Sequence, residues 1–349
     1  MGQVNPNPLV GAIIVRDETI IGQGWHPFYG GPHAERHALA SCQESVAGAT
    51  LYVTLEPCCH TGKTPPCTDA ILESGIRRVV IGSADPNPLV AGCGVQQLRQ
   101  HGIQVTEGVL KQECDQLNDV FLHFIQAQTP YVVMKYAMTL DGKMATSTGL
   151  SKWITGAKAR KRVHEDRHRY AAIMVGVGTV LADDPLLTCR LPNGKNPIRI
   201  ICDTHLKTPL ASQVVKTTDQ AKTMIATACS DLSRHQHYQE RGCDILMIPK
   251  RNNGLDLPAL MRQLGSQNMD SVLLEGGSSL NASALEAGIV HKVQAYIAPK
   301  IFGGVAAVSP IGGNGIQDPH YAYQLTVPTI TQLGNDILLE SEVITCSQE

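Results

Sequence analysis

Residues 50–67 read TLYVTLEPCCHTGKTPPC. The first six mix apolar and β-branched types as a strand does. The chain then meets Pro57 and the pair Pro65-Pro66, each followed directly by a cysteine. Upstream, Gly30-Gly31-Pro32 leads into His33-Ala34-Glu35 and a segment with helical spacing at Ala34, Ala38 and Leu39. In a regular helix, residues two apart point in different directions. His33 and Glu35 can therefore serve one metal only at the very start of the helix, where Gly-Gly-Pro places them. His33, Cys58 and Cys67 form a candidate zinc set: one neutral imidazole and two thiolates cancel the ion's charge and leave a tetrahedral position for water. The prolines also suggest that both sulfurs sit near helix N-termini, where the dipole favours thiolate. A purely structural site would close with a fourth protein ligand, from Cys59 or His60, and would leave Glu35 without a task.

Around this segment, strand-like and helix-like runs alternate. Residues 9–15 and 19–24 read as a hairpin, 50–55 and 78–83 as β-branched strands with a short helix between them. A helix over 95–101, a short strand over 103–106 and one helix over 111–125 follow. Strands separated by helices of about ten residues predict parallel pairing in an α/β sandwich. The polar stretch 126–130, QAQTP, marks a boundary, giving domains at 1–126 and 130–349. Beyond it PYVVMKYAM, a helix over 157–170, AAIMVGVG, PIRIICD, TMIAT, DILMIP, SVLLEGG, a helix over 279–287 and KVQAYIAP predict a second α/β domain. Runs at 329–333 and 336–342 predict a closing antiparallel hairpin.

Composition narrows the function. With 29 basic and 31 acidic residues the net charge is -2, and aromatics make up 4%. Neither favours a polynucleotide partner, which needs basic surface and stacking platforms. No secretory leader, myristoylation pattern or membrane-length apolar run is apparent, so a cytoplasmic protein is expected. The eleven cysteines contain no C-x-x-C pair, and those outside 58–67 are scattered singly.

The order H-x-E…P-C…C is that of zinc deaminases, in which the metal lowers the pKa of its water from about 16 towards 7. Glu35 then carries protons from that water to the ring nitrogen and the departing ammonia. Simpler members of the class have two residues between the cysteines; here eight, CHTGKTPP, intervene. TLEPCCHTGKTPPC, NPNPLVG (5–11) and ADPNPLVAG (84–92) closely resemble the bifunctional riboflavin-biosynthesis deaminase/reductase family. MKYAMTLDGK, SKWIT, VGVGTVLADDPLLTCR and LLEGGSSLNASALEAG resemble its reductase half, so the likeness spans almost the whole chain.

The resemblance implies a cytidine-deaminase-like α/β/α sandwich followed by a dihydrofolate-reductase-like α/β domain. It also implies one Zn²⁺, NADPH, a small phosphoribosyl-pyrimidine substrate and a homo-oligomer, with no nucleic acid and no membrane. Deaminase substrate contacts carry over onto Asn7, His26, His60, Lys63, Asp85 and Asn87; Asn and Asp can read a pyrimidinone edge, and Lys63 and the imidazoles can hold a phosphate. Asn7 and Asn87 also suit the turns in which they lie. NADPH contacts carry over onto Ala137, Trp153, Thr179, Asp183, Thr204, Gly277, Ser278, Ser279, Leu280, Asn281, Ala282 and Ser283; the family often has Ser where Thr204 stands. Reductase substrate contacts carry over onto Ser151, Arg167, Leu187, Arg190 and Glu275, with Arg167 and Arg190 expected as a phosphate clamp. Arg167 also lies in the basic run 160–169, which by position alone reads as a solvated helix face. Lys135 and Asp183 are candidates to orient ribose or nicotinamide. Family members usually begin with a helix before the Pro-Asn-Pro segment, and this sequence starts only a few residues ahead of it. Either the start lies further upstream, or a partner subunit or other segment is expected to cover that flank of the sheet. Two other functions fit parts of the pattern: a nucleic-acid base deaminase with an accessory domain, and a second domain that only binds a ligand.

Overall fold

The computed structural model describes residues 4–60, 65–87 and 91–344. The chain divides into two compact units, Met1–Gln128 and Thr129–Glu349.

In the first unit, β1 (Gly11–Arg16), β2 (Thr19–Trp25), β3 (Thr50–Leu55), β4 (Arg78–Ser83) and β5 (Gln104–Thr106) form one sheet in the order β2-β1-β3-β4-β5. Its helices are α1 (Ala34–Ser41), α2 (Cys67–Ser74), α3 (Cys93–Gln100), α4 (Lys111–Leu117) and α5 (Asp119–Ala127). Asp17 and Glu18 adopt φ of 47° and 61°, so a two-residue turn whose twist suits the strands closes the β1–β2 hairpin. Parallel pairing holds for β3, β4 and β5, but β1 runs antiparallel to both neighbours. The hairpin reverses the chain once, and β3 then joins the free edge of β1 in the direction of β2.

The helix expected over 111–125 is two helices, broken at Asn118. That residue is buried, and its side chain accepts from Leu9 N at 2.8 Å and donates to Leu9 O at 3.0 Å. Serving the backbone of the segment that leads into β1 takes precedence here over helix continuity. Ile14, Leu51, Ile71, Val79, Ile81 and Leu98 fill the core between sheet and helices. Each fully buried side chain of this size contributes about 1.5–3 kcal/mol.

The second unit builds a nine-stranded sheet in the order β10-β9-β8-β7-β13-β6-β14-β16-β15. The strands are β6 (Tyr131–Thr139), β7 (Ala172–Gly176), β8 (Ile198–Cys202), β9 (Thr223–Thr227), β10 (Cys243–Met247), β13 (Ser271–Leu274), β14 (Lys292–Ala298), β15 (Thr329–Leu333) and β16 (Asp336–Glu342). A separate two-stranded ribbon joins β11 (Lys250–Arg251) to β12 (Gly254–Leu255). The seven strands from β10 to β14 are parallel, and β16 and β15 add an antiparallel edge. The helices are α6 (Ala157–Arg169), α7 (Val177–Asp183), α8 (Gln213–Lys216), α9 (Leu232–Gln239), α10 (Leu257–Ser266) and α11 (Ser278–Glu286). Along β7, Ala172 and Met174 join one core cluster while Ile173 and Val175 join another. Burial on both faces explains why this strand is apolar throughout. Among the described residues, no helix is long and apolar enough to cross a membrane.

The fit of α1 onto β2 depends on bare backbone. A Cβ on Gly24 would stand 2.2 Å from Ala38 N and 2.5 Å from Ala34 O. Gly24→Ala should therefore push α1 off the sheet at a cost of about 1–3 kcal/mol, read as an earlier denaturant midpoint for the first unit. An unchanged midpoint would show that α1 can shift freely.

Candidate active sites

His33 is the N-cap of α1, with extended backbone at φ -69° and ψ 157°, and Glu35 is the second helical residue. Cys58 follows the end of β3 through Glu56 and Pro57, and Cys67 opens α2. Three elements thus converge at the carboxyl end of β3. His33 Nδ1 lies 3.5 Å from Cys58 Sγ and 3.3 Å from Cys67 Sγ, and the three donor atoms all fall within 4.8 Å of one another. Cys58 starts no helix of its own, but its sulfur accepts the Cys67 N–H at 3.4 Å, so both sulfurs meet the N-terminus of α2. Among the described residues the group has these three members; Cys59 and His60 are not in it.

The donor set suits a divalent cation. Hydrogen bonding from Cys67, then from His33, pulls the Cys58 thiol down to about 4, whereas the same contact with Cys58, together with burial, pushes Cys67 up. The hydrogen bond to Cys58 raises His33. Burial pushes Glu35 up to about 7, beside the Cys67 sulfur. Cys58 thus offers a thiolate, and a cation in the group would displace the proton that Cys67 retains, as zinc does from thiols.

Around the set, His26 is buried, edge-on to the His33 ring at 5.6 Å between centroids. Its Nε2 lies 3.0 Å from Asn7 Nδ2 and its Nδ1 3.0 Å from Pro32 O. The Asn7 amide can only donate there, so Nε2 accepts and Nδ1–H donates to the carbonyl. Asp85 is buried, and burial raises its carboxyl, which also feels Cys58 and His60. Its Oδ1 accepts from Asn87 N at 2.9 Å, an Asx-turn. His60 is exposed, and Lys63 lies outside the described residues.

Glu56 escaped the sequence reading. It is buried and accepts from Asp85 N at 3.4 Å, Gly92 N at 3.1 Å and Val95 N at 3.3 Å. An anion there satisfies the N-terminus of α3 and holds it and the Asp85 turn beside Cys58. Its place directly before Pro57-Cys58 was the available signal.

In the second unit the singled-out residues gather beyond the carboxyl ends of adjacent parallel strands. They are Ala137 on β6, Thr179 in α7 after β7, Thr204 after β8, and Glu275 with Gly277–Ser283 after β13. Open parallel sheets bind ligands at this edge. Gly277 is the N-cap of α11, and a Cβ there would lie 3.4 Å from Thr179 Oγ1. Asn281 and Ala282 are buried, Asn281 Nδ2 donating to Pro310 O at 3.0 Å, while Ser279 and Ser283 are exposed and Ser278 and Leu280 are half-buried. Gly276 leaves room for Asn281, whose Oδ1 would stand 2.3 Å from a Cβ. Ser151 Oγ donates to Asp183 Oδ1 at 3.4 Å, and Lys152 Nζ lies 3.8 Å from the same oxygen. Trp153 is exposed beneath the Arg160 guanidinium, 4.6 Å from its ring centroid.

The two arginines do not form the expected pair. Arg167 spends its fork on Glu275, with Nε to Oε1 at 2.8 Å and Nη2 to Oε2 at 3.0 Å, and Nη1 donates to Thr188 O at 3.0 Å. Lys135 Nζ lies 3.5 Å from the same carboxylate. Arg190 is exposed and donates from Nε to His164 Nε2 at 3.1 Å. Burial, then Arg167 and Arg190, hold the His164 imidazole down to about 4. Leu187 is buried in the core at φ 54°.

Two family models match parts of the chain. The model of the cytidine and deoxycytidylate deaminase zinc-binding region matches residues 2–83, and that of the RibD C-terminal domain matches 130–339. The class is thus a deaminase of the zinc-binding kind joined to a reductase with a dihydrofolate-reductase-like fold. Riboflavin biosynthesis protein RibD of Actinobacillus pleuropneumoniae is 56% identical over 344 residues, covering 99% of this chain and 92% of that protein. A Thermotoga maritima crystal structure, a diaminohydroxyphosphoribosylaminopyrimidine deaminase/5-amino-6-(5-phosphoribosylamino)uracil reductase, matches with a TM-score of 0.85 at 41% identity, over 98% of this chain and 94% of that one. Acinetobacter baumannii RibD, form 1, matches at 0.85 and 34% identity over the same shares. The chain belongs to the RibD family of bifunctional riboflavin-biosynthesis deaminase/reductases.

Glu275 also sets a stability dependence. Burial alone would raise its carboxyl, but Arg167 and Lys135 override burial and bring it down to about 2. Between the ordinary carboxylate range and that value the unfolded chain binds the extra proton, so the second unit should lose stability as pH falls through this window. Glu275→Leu, which strands Arg167, should cost about 3–5 kcal/mol at neutral pH and flatten the acid limb. An unaltered pH–stability curve would refute the assignment.

Proposed function

We propose that the first unit hydrolyses the 2-amino group of 2,5-diamino-6-(5-phosphoribosylamino)pyrimidin-4(3H)-one. The second unit then reduces the ribosyl group with NADPH, giving 5-amino-6-(5-phosphoribitylamino)uracil. The observation that carries the reading is the three-donor cluster His33, Cys58 and Cys67 beside a buried carboxyl, Glu35. These three residues would hold Zn²⁺, which supplies a water acidic enough to ionise near neutrality. Glu35 would take one proton from the attacking water and give it to the ring nitrogen. It would then carry the second, from the newly added hydroxyl, to the amine as the C–N bond breaks, the carbonyl forms and ammonia leaves. Its raised carboxyl suits a group that must both accept and release a proton. Asn7, held by His26, and Asp85 with Asn87 read the pyrimidinone edge, while His60 and Lys63 take the phosphate.

In the second unit, the N-terminus of α11 from Gly277 to Ser283, with Thr179, Thr204, Ala137, Trp153 and Asp183, binds NADPH, the helix end taking a phosphate. Ser151, the Leu187 backbone and the exposed Arg190 hold the phosphoribosyl group. Arg167 acts by fixing Glu275, which with Lys135 orients the ribose. The near-neutral charge supports a small-molecule substrate rather than a polynucleotide. Action in the cytoplasm as a homo-oligomer completes the reading.

A coupled assay following ammonia release and NADPH oxidation separately tests it. Glu35→Gln should lower ammonia release at least about 100-fold while leaving NADPH oxidation on the deaminated intermediate unchanged; full retention of deamination would refute the role of Glu35. Chelation should remove one zinc per chain and stop only the first step. Loss of both steps on chelation would show that the sites are not independent.

A further inference from the structure

Buried polar groups on the α6 side of the second sheet extend past those a substrate would touch. Tyr296 on β14 is fully buried and lies in register with Ala137 of β6, as Gln294 does with Lys135. The Tyr296 hydroxyl donates to Asp166 Oδ2 at 3.3 Å; Asp166 is 1% exposed and lies 3.5 Å from Arg162 Nη2. On its other flank, the Tyr296 ring has Lys135 Nζ at 5.8 Å from its centroid. That ammonium is also 3.5 Å from Glu275 Oε2.

A lysine's flexible four-carbon stem has many rotamers, so a single partner leaves its charge poorly placed. A carboxylate on one side and a π face on the other define its position in two directions. The Asp166 bond anchors the hydroxyl end of the ring, and the face that meets Lys135 is one a phenylalanine would keep.

We propose that Tyr296 is a positioning residue for the reduction: its ring face, held by Asp166, and the Glu275 carboxylate together fix the Lys135 ammonium against the ribose. The inference rests on the reductase reading above.

The test separates ring charge from ring size. Tyr296→Phe keeps the negative face, and pentafluorophenylalanine at the same position keeps the shape while reversing the face's polarity. The full-length chain carrying each residue is assayed for NADPH oxidation with the deaminated intermediate. The phenylalanine form should retain most of kcat, and the fluorinated form should lose about tenfold in kcat with KM for NADPH unchanged. Ammonia release and melting temperature should be equal in the two. Equal kcat for both rings would overturn the proposal. So would a fluorinated form whose lost activity tracks a lower melting temperature, because that assigns Tyr296 to packing. No NADPH oxidation by the unmodified chain would instead remove the reductase reading, and this inference with it.

Discussion

The carboxyl end of β3, the start of α1 and the start of α2 meet at one point, and the deaminase chemistry depends on that convergence. A helix interior would separate His33 from Glu35, so the imidazole is delivered from the N-cap and the carboxyl from the first turn. Gly24 lets α1 approach β2 closely enough to aim both. The sulfurs arrive from opposite ends of the intervening loop, and the Cys67 N–H bond to Cys58 Sγ ties those ends together. Glu56 adds a third constraint by tethering α3 and the Asp85 turn to the residue before Pro57. The three donors therefore stand at or near the ends of regular elements, a placement that lowers the ordering cost of binding an ion.

The second unit solves a different problem with the same kind of edge. The residues proposed to bind its ligands lie on or after β6, β7, β8 and β13, strands that lie side by side although they are far apart in sequence. The chain runs outward from β7 to β10, then returns to insert β13 between β7 and β6, which brings these strand ends together. Glu275 stands where β13 ends, so its carboxylate reaches Arg167 from α6 and Lys135 from β6 at once.

Much of this was legible from residue patterns. β3, β4, β15 and β16 begin and end where the alternation does. His33, Cys58 and Cys67 were recoverable because proline and glycine context constrains where each can lie. The break at Asn118 was not, because a helix-compatible segment conceals a partner 109 residues away at Leu9. Helix α10 passed unremarked although Leu257, Leu260, Met261 and Leu264 recur at helical spacing and Asp256 caps it. The Arg167–Glu275 pair could not be read either: a basic helix face and a glutamate after a strand each look solvent-directed until the fold buries both. Tertiary pairing of charges leaves no local trace.

Two buried glutamates in one chain illustrate how environment divides labour. Burial raises Glu35 to about 7, outweighing a backbone hydrogen bond, the nearby His33 imidazole and the Cys67 contact that oppose it. Burial acts on Glu275 in the same sense, yet a guanidinium and an ammonium bring it down to about 2. The first can exchange a proton near neutrality. The second keeps its negative charge well below neutrality. On the proposed reading, acid–base chemistry falls to the carboxyl that burial dominates, and electrostatic placement to the one flanked by a guanidinium and an ammonium. Exchanging these environments would leave both residues in place and neither able to do its task, because the surrounding charges, not the side chain, decide which role a glutamate plays.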